Sequence, residues 1–581
     1  MGHPNVPVEV ETLRYFALAT DYDGTLAYRS TVAPETLAAL ERLAASGRRL
    51  ILNTGRHLQE LLDVFQAVEV FDRVVLENGA VLYRPATKET TVLGARPPES
   101  FVDELLRRGV SPLSVGEVIV ATSAAHQATL LEVIHQQGLG LQVIFNKDTA
   151  MVLPPSVNKA TGLVAALGEL GLSVHNAVSV GDGDNDIPAL AISECAVAVA
   201  DALPSLKQQA DLITAGNHGE GVQELINRLL DDDLAELAPR LSRHDLRLGR
   251  ADDGSEVRFA PYGVNVLLAG PSGSGKSTLL VSLLEQLCAA GYQFCLIDPE
   301  GDFEDFAHDI SLGTTDHAPA PDEVLQVLRA PGANVGVNLL GVGARDRPLF
   351  FGGLLTSLQA LRARTGRPHF LVADEAHYLL PRTWAPATQL LPLEFNGAVL
   401  VAPDPAAIAP TALKMIDLVV AVGGDPAATI ESYCRAIGVP RLAVPWHNLN
   451  QGEAVAWFRH EVAPPRRFRA VAPSRLLRRH RQKYATGTLG VDKSFYFRGP
   501  GHRLNLRAQN LETFMQLVEG VDDATWLYHL RRGDYSRWFR EAIKDEGLAR
   551  EVEQVEARAD GQASASRRLV RRAVEARYSL S

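Results

Sequence analysis

The sequence is poor in cysteine, and its four cysteines (Cys195, Cys288, Cys295 and Cys434) are scattered without a Cys-x-x-Cys pair. This spacing argues against a disulfide scaffold or a zinc site and fits a reducing compartment. The chain also lacks an apolar run of the ~20 residues that cross a bilayer. Its first residues lack the basic-then-apolar pattern of a signal peptide. These absences predict a soluble, cytoplasmic protein without a membrane partner.

An excess of positive charge is also missing. The formal net charge is −12, so the chain as a whole carries no electrostatic signature of nucleic-acid binding, although a local basic surface stays open. Hydrophobic residues make up 46% and charged residues 22%, as in ordinary globular proteins. At about 100–200 residues per domain, the 581 residues predict three or four domains.

Short apolar runs alternate with helical patterns through the first two thirds of the chain, which predicts α/β layers on a mostly parallel sheet. The clearest strands are 16–20, 49–53, 177–180 and 265–269. Residues 231–254 are polar and charged and predict a linker, and a second break, basic and proline-bearing, runs over 464–483. The predicted domains are 1–230, 255–462 and 490–560, followed by a basic helix or tail.

Two acids, Asp21 and Asp23, directly follow the first predicted strand. Burying neighbouring carboxylates is costly unless a metal, a proton or hydrogen bonds compensate them. Three further segments carry groups that suit a phosphate or a metal ion. Thr54 follows a strand, Lys159 lies near the start of a helix, and residues 182–186 contain acids that follow another strand. Because ligands gather at the carboxyl ends of strands in open α/β sheets, we expect these pieces to form one crevice.

The order and content of these segments resemble the haloacid-dehalogenase superfamily of phosphatases, in particular its Cof-type branch, over residues 15–230. The resemblance implies a Rossmann-like domain with an inserted cap at about 85–153 and a small phosphorylated substrate, such as a sugar phosphate. It implies the following roles: Asp21 is the nucleophile, Asp23 the acid/base, Thr54 and Lys159 bind phosphate, and Mg²⁺ is held by Asp21, Asp182 and the carbonyl of Asp23, with support from Asp186.

A second constellation matches G-x-x-x-x-G-K-[ST] between a strand and a helix. Backbone N–H groups of such a loop cradle phosphates, its lysine reaches the terminal phosphates, and its serine binds Mg²⁺. A later apolar strand ends in two acids, of which the first suits the Mg²⁺ water shell and the second polarises the attacking water. The predicted ATP- and Mg²⁺-binding residues are Gly270, Gly273, Gly275, Lys276, Ser277, Thr278 and Asp374, and Glu375 is the predicted catalytic residue.

Residues 294–303 and 374–377 resemble the HerA–FtsK superfamily of ATPases, over about 255–462. The resemblance implies a RecA-like P-loop ATPase domain and a homo-oligomeric ring, such as a hexamer. Where these motors usually carry a glutamine-containing sensor strand, this chain reads Val-Leu-Val-Ala-Pro-Asp-Pro at 399–405. The absence of this glutamine bears on the prediction of translocation on DNA and not on the prediction of ATP binding.

The C-terminal region resembles a small family of unknown function and predicts a small, mostly helical domain. Its aromatic residues and arginines suit either stacking on nucleic acid or a compact helical core with a charged face, and we favour the core.

The leading interpretation is a bifunctional enzyme, a Mg²⁺-dependent phosphatase fused to an ATPase. One alternative is a nucleic-acid end-processing phosphatase and kinase or another DNA-associated ATPase, since polynucleotide kinase-phosphatases also join such a phosphatase to a P-loop domain. Another is a nucleotide-switched interaction protein. ATP turnover without an acceptor favours the first interpretation, and bound but unhydrolysed ATP favours the last.

Overall fold

The structure is a computed structural model that describes residues 13–146, 148–271, 273–303, 306, 310–383, 396–474, 484, 489, 493–543, 545–558 and 562–578. The chain forms two compact units. The first unit comprises Met1–Asp245, Leu328–Ala333 and Ser357–His369, and the second comprises Leu246–Val327, Asn334–Thr356 and Phe370–Ser581.

The first unit contains two sheets. Its strands are β1 (Ala17–Thr20), β2 (Arg49–Asn53), β3 (Arg73–Leu76), β4 (Val81–Arg84), β5 (Glu89–Val92), β6 (Leu113–Val115), β7 (Val120–Ser123), β8 (Gln142–Asn146), β9 (Thr149–Leu153), β10 (Ala177–Gly181), β11 (Cys195–Ala198) and β12 (Leu212–Ile213). The larger sheet has the order β12-β11-β10-β1-β2-β3-β4-β5 and is parallel from β12 to β3. The smaller sheet, β6-β7-β9-β8, is antiparallel.

Helices cover both sheets of this unit. They span Pro34–Ala45, Leu58–Val64, Glu99–Arg107, Gln127–Gln136, Lys159–Glu169, Ile187–Ile192, Pro204–Lys207 and His218–Asp232. The central strands are buried on both faces, as expected for a parallel sheet between helices. The small sheet and the helices Glu99–Arg107 and Gln127–Gln136 lie within the predicted cap range, whereas β5, in the same range, pairs with β4 of the large sheet.

The interpretation of residues 231–254 as a linker is wrong. Leu234, Leu237 and Leu241 are buried in the core of the first unit, and a short 3₁₀ helix spans Ala235–Arg240. The polar residues around these leucines gave the stretch the composition of a linker, but its few apolar side chains are enough to anchor it to the core.

The second unit is built on a sheet with the order β14-β13-β23-β22-β21-β15-β20-β19-β16-β18-β17. Its strands are β13 (Leu246–Ala251), β14 (Glu256–Phe259), β15 (Val266–Ala269), β16 (Phe294–Asp298), β17 (Ile310–Leu312), β18 (Val335–Asn338), β19 (Phe370–Ala373), β20 (Ala398–Ala402), β21 (Leu418–Val422), β22 (Glu453–Phe458) and β23 (Arg466–Ala470). The strands from β21 to β17 are parallel, and β13, β14, β22 and β23 add an antiparallel edge.

The helices that accompany this sheet span Lys276–Ala290, Pro321–Leu328, Arg347–Thr365, Pro410–Lys414 and Pro426–Ile437. The sheet extends past both ends of the predicted range 255–462, because β13 precedes it and β23 follows it. Both strands lie in stretches that read as breaks in the sequence. Part of the second break, residues 475–483, lies outside the described residues.

The C-terminal region consists mainly of helices and belongs to the second unit. Its elements are the strands β24 (Phe495–Phe497) and β25 (Leu506–Ala508) and the helices Leu511–Gly520, Asp523–Arg531, Asp534–Glu541, Glu546–Ala557 and Ala563–Glu575. Trp526, Tyr535 and Phe539 are fully buried in its core, as the interpretation of a compact helical core expected. The core also includes Val570 and Val574, beyond residue 560.

Among the described helices, none combines the length and the apolar character needed to cross a membrane.

Candidate active site

Three strand ends meet at the first candidate site. β1 lies between β10 and β2, and all three run parallel. Asp21, Asp182 and Thr54 directly follow these strands, so the fold places them at the same edge of the sheet. All three are buried, with at most 8% of their surface exposed. The topology therefore brings together side chains that are far apart in the sequence.

Lys159 reaches this edge from the first turn of a helix. The side chain of Asn158 caps the helix, because its Oδ1 accepts hydrogen bonds from the N–H groups of Ala160 (2.9 Å) and Thr161 (3.0 Å). The amide of Asn53, at the end of β2, donates to the carbonyl of Lys159 at 3.0 Å. These bonds fix the start of the helix, and Lys159 is only 1% exposed.

The ammonium of Lys159 lies between two carboxylates. Its Nζ is 2.5 Å from Oδ1 of Asp21 and 2.6 Å from Oδ1 of Asp186. The other oxygen of Asp186 accepts hydrogen bonds from the N–H groups of Asp182 (3.1 Å) and Gly183 (3.0 Å). Carboxylate oxygens of Asp21, Asp182 and Asp186 lie within 4.8 Å of one another. The predicted residues thus form one buried cluster.

Burial, the largest cause, raises the pKa of Asp21 well above its ordinary value; the charge of Lys159 opposes this rise, and the carboxylates of Asp186 and Asp182 add to it. Burial alone would lower the pKa of Lys159, but the carboxylates of Asp186 and Asp21 raise it above its usual range. Three buried carboxylates face one ammonium. This excess of negative charge and the oxygen-only donor set fit a divalent cation such as Mg²⁺.

Asp23 lies beside the cluster and is held by Arg56. The guanidinium donates to both carboxylate oxygens, from Nε at 2.6 Å and from Nη2 at 2.7 Å, and Nη2 also donates to Oγ of Ser30 at 2.7 Å. The guanidinium carbon is 5.3 Å from the centre of the Tyr22 ring. The sequence analysis gave no role to Arg56, although it lies two residues after Thr54, which is predicted to bind phosphate.

The turn after β1 leaves no room for a side chain at Gly24. A Cβ there would lie 2.3 Å from Oδ2 of Asp182, and φ is +90°. The next residue, Thr25, donates from its hydroxyl to Oδ1 of Asp182 at 3.2 Å. The turn at Gly24 and Thr25 thus packs directly against the carboxylate of Asp182. Thr25 is a second residue that the sequence analysis did not single out.

Glu77 ties the site to the loop that leads into β7. Its carboxylate accepts hydrogen bonds from the N–H groups of Glu117, Val118 and Ile119, each at 2.8 Å, and its side chain is buried. Glu77 has a φ of +52°. This left-handed backbone is unfavourable for a residue with a side chain, and the three hydrogen bonds compensate for it.

Another buried cluster in this unit lies apart from the active-site residues. Glu194 accepts a 2.5 Å ion pair from Arg14 and a 2.9 Å hydrogen bond from Nδ1 of His175, and His244 lies nearby. Burial alone would raise the pKa of Glu194, but the hydrogen bond from His175 and the charge of Arg14 hold it well below its ordinary value. Both oxygens of Glu194 are engaged by protein donors, so we interpret the cluster as a structural ion-pair network.

The second candidate site is the loop between β15 and the helix Lys276–Ala290. Gly270, Gly273 and Gly275 all have positive φ, and a Cβ on Gly270 would lie 2.1 Å from the carbonyl oxygen of Val422. Only glycine fits this close approach of two backbones. Ser272 lies outside the described residues.

The helix begins at Lys276, whose Nζ donates to the carbonyls of Gly270 (2.7 Å) and Pro271 (2.9 Å). The side chain of Lys276 therefore folds back onto the glycine-rich loop, with which it is predicted to bind phosphate. Ser277 and Thr278 follow in the first turn and are exposed. The loop has the strand-loop-helix context that phosphate binding requires.

Asp374 and Glu375 follow β19, which is separated from β15 by β20 alone. The three strands are parallel, so both acids lie at the same edge of the sheet as the glycine-rich loop, and β19 is about 10 Å from β15 at the usual strand spacing. Asp374 is buried. Glu375 has a φ of +44°, and its Oε2 is 3.4 Å from Nδ1 of His377.

Comparison with known protein families gives two matches. Residues 18–107 and 117–226 match the haloacid dehalogenase-like hydrolases. Residues 263–396 match an AAA domain, which agrees with the P-loop ATPase interpretation of the second unit.

Curated relatives match the same N-terminal part of the chain. It is 29% identical to a phosphoglycolate phosphatase of Methanothermobacter thermautotrophicus over 223 residues, which are 37% of this chain and 98% of that protein. It is 30% identical to a phosphoglycolate phosphatase of Haloarcula marismortui over 220 residues, or 36% of this chain and 95% of that protein.

Among solved structures, a haloacid dehalogenase-like hydrolase from Bacteroides thetaiotaomicron covers 37% of this chain and 100% of its own, with 19% identity and a TM-score of 0.33. The sequence relationship to the curated relatives is the decisive one, because it spans nearly their whole length. Through its N-terminal part, the chain belongs to the haloacid dehalogenase-like hydrolases.

Proposed function

We propose that the first unit hydrolyses phosphate monoesters of small metabolites. The observation that carries the proposal is the position of Lys159, whose Nζ lies 2.5 Å from Asp21 and 2.6 Å from Asp186 at the carboxyl edge of the sheet. This arrangement holds an anionic nucleophile and a cation for phosphate oxygens in one buried site. The curated relatives are named phosphoglycolate phosphatases, which makes phosphoglycolate the first substrate to test, with sugar phosphates beside it.

Asp21, Asp182 and the carbonyl of Asp23 would hold Mg²⁺, with Asp186 in support. When bound, the ion neutralises charge on the phosphate and on the carboxylates. The hydroxyl of Thr54 accepts a hydrogen bond from the N–H of Arg56 at 3.2 Å, so its own hydrogen can point to a phosphate oxygen.

In the first step, a carboxylate oxygen of Asp21 attacks phosphorus, and the bond from phosphorus to the leaving oxygen breaks. Asp23 gives its proton to that oxygen, and the product alcohol departs. Both oxygens of Asp23 accept hydrogen bonds from Arg56 in this structure, so the guanidinium must first yield one of them, and that oxygen must take up a proton from solvent, before this transfer. Arg56 thereby positions the acid until substrate arrives.

In the second step, Asp23 takes a proton from a water molecule, which attacks the phosphorus of the aspartyl-phosphate. The phosphorus–oxygen bond to Asp21 breaks, inorganic phosphate leaves, and both carboxyl groups return to their starting states. Lys159 stays beside Asp21 throughout and offsets the charge of the regenerated carboxylate.

The small sheet β6-β7-β9-β8 supports a small substrate rather than a polymer end. The amide of Asn78 donates to the sulfur of Met151 on β9 at 2.9 Å, and Glu77 binds the loop before β7. The cap is thus fastened close to the site, where it restricts access and selects the substrate.

Phosphate release from phosphoglycolate and a panel of sugar phosphates, measured on the full chain with Mg²⁺ and with EDTA, tests this proposal. We expect Asp21→Asn to reduce turnover at least about a thousandfold, because the covalent nucleophile is lost. The exposed cap residue Asp103 provides a matched control, and Asp103→Asn should leave turnover unchanged. Turnover by Asp21→Asn near that of the unaltered protein would refute the assignment.

We further propose that the second unit hydrolyses ATP, with Lys276 and Ser277 on the phosphates and Mg²⁺, Asp374 in the Mg²⁺ water shell and Glu375 activating water. The glycine-rich loop and the two acids at one edge of a parallel sheet support this proposal. We also propose that the unit is of the HerA–FtsK type and assembles into a ring. ATP turnover without a nucleic-acid acceptor is the first test.

A further inference from the structure

A pocket of about 470 Å³ lies within the second unit, and none of its lining residues belongs to the glycine-rich loop. It is lined by Tyr378, by residues 493–496, Arg498 and His502, and by eight residues between Tyr528 and Ala542. This volume falls in the range of small-molecule sites, about 300–1,000 Å³.

The lining of the pocket is cationic. Lys493, Arg498, Arg532 and Arg537 contribute four cations, against the carboxylates of Asp534 and Glu541 in the lining and of Glu300, which pairs with Lys493. The net charge of the whole chain is −12, so this concentration of positive charge is local. Cations gathered in a concave site favour an anionic ligand, and arginine in particular suits phosphate groups.

One carboxylate fixes two of these arginines. Asp534 lies 3.3 Å from Nε of Arg532 and 3.3 Å from Nη1 of Arg537, and it also accepts a 2.9 Å hydrogen bond from Nδ1 of His529. A guanidinium has five N–H donors, so each arginine keeps donors for a ligand while Asp534 limits its freedom. Prior ordering of this kind lowers the entropy cost of binding.

His529 fixes the third arginine through the backbone. Its Nε2 accepts a hydrogen bond from the N–H of Arg498 at 3.0 Å, and its Nδ1 bonds to Asp534. These two bonds require the neutral ring with the proton on Nδ1. Burial lowers the pKa of His529, which agrees with a neutral ring. The loop that carries Arg498 is therefore anchored to the floor of the pocket.

Each of three half-buried tyrosines carries a cation on its ring. Lys493 is 5.6 Å from the centre of the Tyr378 ring, Arg498 is 5.4 Å from Tyr496, and Arg532 is 5.2 Å from Tyr528. Such pairs of arginine and aromatic planes are surfaces on which a nucleobase stacks. A sugar phosphate has no planar ring that would use them.

We propose that this pocket binds a nucleotide, with its phosphate on Arg498 and Arg532 and its base against the tyrosine rings. None of the lining residues of this pocket belongs to the glycine-rich loop. Tyr378 follows the acids of β19, and Lys493 forms a 2.5 Å ion pair with buried Glu300, just after β16. The pocket is therefore in direct contact with the edge of the sheet that carries the proposed ATPase acids.

Isothermal titration with AMP tests the proposal, because AMP lacks the β- and γ-phosphates that the P-loop lysine reaches. The full chain carries Asp21→Asn and Lys276→Ala and is measured without Mg²⁺, which disables the other two sites. We expect AMP to bind and to quench the fluorescence of Trp538, which lines the pocket. Arg498→Gln and Arg532→Gln should each weaken binding about tenfold or more, the value of a charge-assisted hydrogen bond.

The matched control is Arg571→Gln, an exposed arginine of the same region that pairs with Glu575 and lies outside the pocket. It should leave AMP affinity unchanged, and far-ultraviolet circular dichroism should show that all variants are folded. The proposal fails if millimolar AMP does not bind, or if the pocket variants bind as the control does. It also fails if inorganic phosphate competes as well as AMP, or if a ten-nucleotide oligothymidine binds more tightly.

Discussion

Arg56 holds Asp23 with two parallel hydrogen bonds, from Nε at 2.6 Å and from Nη2 at 2.7 Å. This bidentate geometry fixes the plane of the carboxylate as well as its position. Burial alone would lower the pKa of Arg56, but its hydrogen bond to Asp23, the largest cause, raises it, so the guanidinium stays charged. The acid/base of the proposed phosphatase is thus positioned by a residue that keeps its positive charge.

We expect Arg56→Lys to lower the kcat of phosphate-ester hydrolysis about tenfold to a hundredfold, with a smaller change in KM. A lysine keeps the positive charge but cannot make the two parallel hydrogen bonds of the guanidinium. Misplacement of a catalytic group by about 1 Å costs up to ~10²-fold in rate. Steady-state kinetics over a range of pH measure the effect, and the acidic limb should shift. Arg107→Lys, on the exposed face of the cap, is the control. An unchanged kcat and pH profile would show that Arg56 only serves the fold.

At the glycine-rich loop, binding and hydrolysis of ATP should separate. Lys276→Ala removes the cation for the terminal phosphates and should weaken ATP binding, whereas Glu375→Gln should keep binding and lose hydrolysis. Equilibrium binding of ATP and release of phosphate measure the two effects. Phosphatase turnover on an ester serves as the internal control. Equal loss of binding in both variants would mean that Glu375 has a structural role.

Arg14→Ala should destabilise the first unit by about 3–5 kcal/mol at neutral pH, because it leaves the buried carboxylate of Glu194 without its ion-pair partner. The pKa of Glu194 is lower in the folded chain than its ordinary value of 4.5. The stabilisation is therefore fully present above that value and is lost as the pH falls through the folded pKa.

Native-state hydrogen exchange of the β1 and β10 peptides gives the free energy of opening of this unit. All five tryptophans of the chain lie beyond residue 380, so tryptophan fluorescence reports on the second unit, which Arg14→Ala should leave unchanged. Arg107→Ala breaks an exposed ion pair with Glu104 and should cost no more than about 0.5 kcal/mol. An equal effect of the two variants would exclude a special role for the buried pair.

If the second unit is of the HerA–FtsK type, as we propose, it should assemble into a closed ring of about six subunits. A head-to-tail contact leaves one donor and one acceptor face on each subunit, and ATP at that contact would favour closure. Light scattering coupled to size-exclusion chromatography, with and without ATP and Mg²⁺, measures the mass. A monomer at micromolar concentration in every nucleotide state would contradict this prediction.

The grouping of the predicted side chains at the first site was predictable because each of them follows a local signal. Asp21 and Asp182 come directly after buried apolar runs, and Lys159 begins a helix capped by Asn158. The role of Arg56 was not, because its partner lies 33 residues away and the sequence does not reveal which way a guanidinium turns. The same holds for Glu77, whose three donors come from the loop before β7.

Long-range pairing also explains the error in the 231–254 stretch. β13 pairs with β23, and Arg250 lies opposite Arg469 across more than two hundred residues of sequence. A strand that pairs only with a distant strand and with its hairpin neighbour gives a weak local pattern in the sequence. The charged residues on its exposed face give it the composition of a linker. The aromatic C-terminal segment was ambiguous for a related reason: Trp526 is core, whereas Tyr528 lines the pocket.

The ion pair between Lys493 and Glu300 would couple ligand binding in the proposed pocket to ATP binding at the proposed ATPase edge. If a molecule in the pocket draws Lys493 toward its phosphate, it alters the charge balance around Glu300, whose backbone N–H is bound by Asp298 at the end of β16. Whatever factor this change imposes on ATP affinity, ATP must impose the same factor on the affinity of the pocket for its ligand. Either titration therefore yields the coupling free energy of both sites.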